Sequence, residues 1–113
     1  MQTVTRETAQ KMKEKGWKRT THFVYFFDSA SREWVVATEI EAINYPYAGD
    51  FFPAPTLAEV LEELPKTILI ERCSEPLGGW IITPQTGELT GQSYWSANVC
   101  EAAAQVWLGK EAR

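Results

Sequence analysis

Polar and hydrophobic positions along the chain fall into two rhythms, one of helical period and one of strand period. From Thr5 to Lys15 the residues are mostly good helix formers, and Gly16 suits the left-handed end of a helix. The apolar positions there, Val4, Ala9 and Met12 with Trp17 just beyond, form a narrow stripe, which predicts a loosely attached first helix. Thr20 to Phe27 and Trp34 to Ile40 are rich in β-branched and aromatic residues. The polar segment from Asp28 to Glu33 separates them, so together they predict a β-hairpin. In the second strand Trp34, Val36, Thr38 and Ile40 share a face, and that face is the expected core face.

The stretch from Asn44 to Pro55 holds three prolines, a glycine and four aromatics and reads as a loop. Thr56 then opens a Thr-x-x-Glu capping box with Glu59. Leu57, Val60, Leu61 and Leu64 follow at i, i+3, i+4 and i+7, so a short core helix runs to Pro65. Thr67 to Cys73, Gly79 to Thr83 and Leu89 to Trp95 read as three strands separated by Gly- or Pro-containing turns. Ser96 is placed to cap a last helix in which Val99, Ala102, Ala103, Val106 and Trp107 form a wide apolar face ending near Gly109. The expected class is α+β, in the order αββαβββα: a mostly antiparallel sheet of about five strands with helices covering one face. Residues 1–113 read as a single globular domain without repeats or a linker.

Composition changes this picture little. Hydrophobic residues make up 44% of the chain and five are tryptophans, enough apolar surface to oppose a disordered state. Charge is more selective: 11 Lys plus Arg against 15 Asp plus Glu give a formal charge of -4, a field that repels phosphate backbones. The basic run Lys11, Lys13, Lys15, Lys18 and Arg19 is the local exception, and a solvated helix end accounts for it. Cys73 and Cys100 match neither a disulfide scaffold nor a paired zinc motif and read as reduced thiols. The polar N-terminal segment has no signal-peptide core or membrane span, so a cytoplasmic protein without a membrane partner is expected.

Candidate chemistry is sparse. His22 is the only histidine, so a multi-histidine metal site would need unusual substitutes from elsewhere in the chain, and its place within a predicted strand suits a structural or solvent-facing side chain better than the proton shuttle of a triad. Cys100 falls in the first turn of the last helix, where the dipole favours a thiolate, but its small-residue surroundings and neighbouring Glu101 fit packing better. Glu59, Glu62 and Glu63 read as a solvated helix face rather than paired catalytic acids. Gly78-Gly79 lacks the Gly-Lys-Ser/Thr continuation of a phosphate loop and reads as a turn. No catalytic, cofactor-binding or metal-binding residue is assigned, and no cofactor is expected. The aromatic loop is the exception: Tyr45, Tyr47, Phe51 and Phe52 are candidate anchors for a protein partner, although the same side chains also suit closing one end of the core.

The segments Pro53-Ala54-Pro55-Thr56-Leu57-Ala58-Glu59-Val60-Leu61-Glu62-Glu63-Leu64-Pro65 and Ala102-Ala103-Ala104-Gln105-Val106-Trp107-Leu108 resemble small uncharacterised proteins of phages and prophage regions. That resemblance implies a mobile-element accessory protein and supplies no catalytic residues. The expected function is a noncatalytic protein-interaction module, an accessory or inhibitor protein of a phage or mobile element, with an unidentified protein partner. A small enzyme whose cleft is completed by oligomerisation, with Cys100 or carboxylates as its reactive groups, is one alternative. Nucleic-acid binding through Lys11, Lys13, Lys18, Arg19 and Trp17 is the other, against the net charge.

Overall fold

The computed structural model describes residues 2–65, 68–74, 76–86 and 90–111. Its elements run α1 (Arg6–Glu14), β1 (Phe23–Asp28), β2 (Glu33–Thr38), α2 (Glu39–Asn44), β3 (Ala48–Pro53), α3 (Leu57–Glu62), β4 (Ile68–Arg72), β5 (Trp80–Pro84), β6 (Tyr94–Ser96) and α4 (Val99–Glu111). The class is α+β, as the sequence predicts. A single five-stranded sheet is not formed: the strands divide into two three-stranded antiparallel sheets, ordered β2-β1-β3 and β4-β5-β6. The order is αββαβαβββα, with one helix and one strand more than expected. Part of the expected third C-terminal strand, at Leu89, and Thr67 at the start of the first lie outside the described residues.

Both additional elements come from the stretch between Thr38 and Pro53. Thr38 caps α2 through a second capping box: its side chain accepts the Glu41 amide, and the Glu41 carboxylate accepts the Thr38 amide. The chain therefore leaves the strand before Ile40. It then returns as β3, an edge strand, where Pro53 at the strand end removes no hydrogen bond from the middle of a sheet. Between Asp28↔Ala48 and Phe26↔Phe51 the register of β3 gains one residue on β1, a bulge at Gly49-Asp50.

The return of α2 also decides which face of β2 is covered. Val35 and Ala37, not Trp34 and Val36, pack with Val24, Phe26 and Ala42 in a small core beneath α2. Trp34 and Val36 remain 41% and 47% exposed on the opposite face. There the Trp34 ring packs against Phe27 and Phe52, and the Arg6 guanidinium lies 4.9 Å from its centroid.

The main core gathers α1, α3, the second sheet and α4. Cys100, Ala102, Ala103, Ala104, Val106 and Trp107 are all buried, so α4 is enclosed on most sides rather than lying over one sheet face. Its alanines let α1, α3, β5 and β6 approach closely. Its cap is Asn98 instead of Ser96: the Asn98 Oδ1 accepts the amides of Cys100 at 2.7 Å and Glu101 at 3.3 Å. The first helix is firmly attached, not loose. Val4 and Met12 are fully buried, Val4 N–H donates to the Pro55 carbonyl, and the Glu101 carboxylate accepts from Thr5 N–H and from Thr8 Oγ1 at 2.6 Å.

Candidate functional site

The six residues of α2 cover only part of the Val24–Phe26–Asp28 face of the first sheet. Beside α2 the remainder opens as a pocket of about 420 Å³ lined by Phe26, Asp28, Val35, Ala37, Glu41, Asn44 and Tyr45. Its origin is local. Asp28 ends β1 and organises the turn to β2, accepting Ala30 N–H and Ser31 O–H, each at 2.9 Å. The Tyr45 hydroxyl, at the end of α2, donates to both Asp28 oxygens at 3.1 Å and so ties the far wall of the pocket to that turn. The rings of Phe26 and Tyr45 stand 5.8 Å apart.

Electrostatically this is a negative site with apolar walls. Burial works to raise the Asp28 carboxyl, and the hydrogen bonds from Ser31, Ala30 and Tyr45 together outweigh it, holding the group below its ordinary 3.8. The Glu41 carboxyl is held low by its bonds to the Thr38 backbone and side chain. Tyr45 is shifted the other way, its hydroxyl raised by burial and by Asp28. Glu33 lies directly across from Asp28 on the same face. Among the described residues, no lysine or arginine forms an ion pair with Asp28, Glu33 or Glu41.

Around this pocket stand the most exposed large apolar side chains of the first half: Ile40 at 71%, Ile43 at 62% and Tyr47 at 54%. Ile40 and Ile43 are neighbours at i, i+3 on α2. The Tyr47 ring packs edge-on against Tyr45, 5.7 Å away.

The four aromatics singled out from the sequence do not form one patch. Tyr45 is a half-buried pocket wall, Tyr47 is exposed, Phe51 is at the surface beside Val24 and Pro53, and Phe52 is buried in the main core against Tyr25. Phe26, Val35, Ala37, Glu41, Ile40 and Ile43 are not candidate site residues in the strand pattern of the sequence. The signal that would have found them is the Thr38-x-x-Glu41 cap, which turns the chain into α2.

The remaining candidates are placed as follows. Cys100 is fully buried with Sγ 3.8 Å from the Pro55 carbonyl oxygen, and burial, with Glu101 and Glu59, pushes its thiol up to about 12. Glu59 is not merely solvated: besides capping α3 it accepts the His22 amide at 2.9 Å. Trp17 is buried edge-on against Trp107, 5.3 Å away, and offers no stacking surface, while Arg19 pairs with Glu62 and Glu63. Gly78 and Gly79 form a turn, as read, both with positive φ, beside half-exposed Cys73. Among the described residues no group of His, Cys, Asp and Glu side chains is placed to hold a metal ion, and no helix is long and apolar enough to cross a membrane.

Comparison with protein-family models, curated proteins and solved structures gives no match.

Proposed function

We propose that the chain is a noncatalytic protein-interaction module that binds through α2 and the pocket beside it. The observation that carries this reading is the exposure of Ile40 and Ile43 on a short helix whose flank is an acid-lined pocket. Each such side chain, once covered by a partner, contributes about 1.5–3 kcal/mol. Carboxylates at the rim orient a basic partner and speed its approach. An accessory or inhibitor protein of a phage or mobile element fits this binding role.

The reading moves the contact surface from the aromatic loop to the helix before it, with Tyr45 in the pocket wall and Tyr47 at its edge as the aromatic members that remain. The test is affinity capture of partners from host lysate at low and high salt, comparing the native chain with the double variant Ile40→Ser, Ile43→Ser. The expected result is a partner captured by the native chain, weakened by salt, and lost by a variant whose circular dichroism is unchanged. Equal capture by the folded variant overturns the assignment of this face.

A further inference from the structure

The pocket beside α2 has a feature that narrows the chemistry of what enters it. Glu41 uses one oxygen, Oε1, for the whole of its capping role, accepting Thr38 N–H at 3.1 Å and Thr38 O–H at 2.8 Å. Its Oε2 makes no hydrogen bond among the described residues, nor does the exposed Asn44 side chain one turn further along α2. Both residues line the pocket. Asp28 at the floor is in the opposite condition: its two oxygens accept from Ala30 N–H, Ser31 O–H and a Tyr45 O–H shared between them, so it has charge to offer and little acceptor capacity. The walls are two aromatic rings and the aliphatic surfaces of Val35 and Ala37. Arg32, in the adjoining turn, forms no ion pair among the described residues.

We propose that this pocket receives an arginine side chain presented by a protein partner. The proposal rests on the interaction-module reading and specifies its central contact. The guanidinium stacks on the Tyr45 and Phe26 rings and donates to Glu41 Oε2 and to the Asn44 carbonyl oxygen, while its methylene stem covers Val35 and Ala37. The Asp28 charge, fixed by its own hydrogen bonds, adds attraction without a direct bond. Arginine fits better than lysine because a planar, weakly hydrated fork matches two separate acceptors beside an aromatic face, whereas an ammonium is a compact and strongly hydrated charge. At about 420 Å³ the space lies within the range of small-ligand pockets.

The test is an NMR titration of the whole chain with N-acetyl-arginine amide, using the lysine and norleucine analogues for comparison. The expected result is saturable shifts at the amides of Ala37, Glu41 and Asn44 with a Kd on the order of 1–10 mM, appropriate to so small a probe. The lysine analogue binds several-fold more weakly and norleucine leaves these amides unmoved. Glu41→Gln keeps the cap acceptor, removes the charge and weakens binding by roughly fivefold or more. Asn44→Arg, at an exposed position where folding is retained, fills the pocket with its own guanidinium and abolishes binding. No saturable shift, equal binding of lysine or norleucine, or binding untouched by Asn44→Arg overturns the proposal. The titration needs only the isolated chain and the capture experiment needs a partner, so loss of capture by Ile40→Ser, Ile43→Ser and loss of arginine binding by Glu41→Gln are separate outcomes.

Discussion

At the scale of single residues, two ionisable groups show how placement sets behaviour. The Cys100 thiol, enclosed by α3 and α4 and facing the Glu101 and Glu59 charges, is raised to about 12 and stays protonated throughout the neutral range. Native protein treated with a thiol reagent at pH 8 is expected to lose Cys73, half-exposed beside the Gly78-Gly79 turn, and to keep Cys100 until denaturant is added. Mass spectrometry of the alkylated peptides checks this, and rapid native labelling of Cys100 contradicts it. Asp28 is depressed instead of raised, so the folded chain holds fewer protons than the unfolded chain around the ordinary carboxyl value of 3.8. Its contribution to stability is complete above that value and is lost as pH falls through it toward the lower folded value. In urea titrations the stability gap between the native chain and Asp28→Asn is therefore expected to hold steady near neutrality and to shrink below about pH 4. A gap that widens with acid refutes the assignment.

At the scale of elements, boundaries follow from caps and turns. Gly79 has φ +80°, and a Cβ there meets the Ser96 carbonyl oxygen at 2.7 Å and the Trp95 indole at 2.8 Å. The Trp95 indole in turn donates to the Gly78 carbonyl at 3.1 Å. Gly79→Ala is expected to cost about 1–3 kcal/mol in thermal or chemical unfolding and to alter tryptophan fluorescence. Where a local rule governs, the sequence was readable. The Thr56–Glu59 box opens α3, and the Phe23–Thr38 hairpin forms as its alternation suggests. The same Thr-x-x-Glu signal at Thr38–Glu41 is masked in the sequence because Ile40 continues the period-two pattern of β2, and three prolines give the β3 stretch the composition of a loop. Which face of β2 is buried depends on α2 folding back over Val35 and Ala37, a tertiary choice that alternation leaves open because both faces carry apolar residues. The pocket inherits that choice, so its residues were not legible as a set even though Tyr45 was marked.

At the scale of the whole molecule, what joins the two sheets is α1 and α4, not strand pairing. Glu101, in the first turn of α4, accepts from both Thr5 N–H and Thr8 Oγ1 at the start of α1. Glu101→Ala leaves the buried Thr8 hydroxyl and the exposed Thr5 amide without that acceptor and is expected to lower stability by about 1–3 kcal/mol, mostly through the hydroxyl, with faster hydrogen exchange concentrated in α1. Unchanged exchange in α1 would show that apolar packing of Val4, Ala9 and Met12 holds it alone.

The burial of α4 has a consequence for how the chain comes to be folded. α1, α3 and the second sheet all pack on a helix that follows every one of them in chain order. A ribosome therefore emits their apolar faces before the surface that covers them exists. The hairpin of β1 and β2 needs only local pairing and can form at once, while α1 must wait for a contact 96 residues away. Synthesis leaves this protein half assembled until its last helix emerges, and over that interval its protection against aggregation depends on speed or on a chaperone.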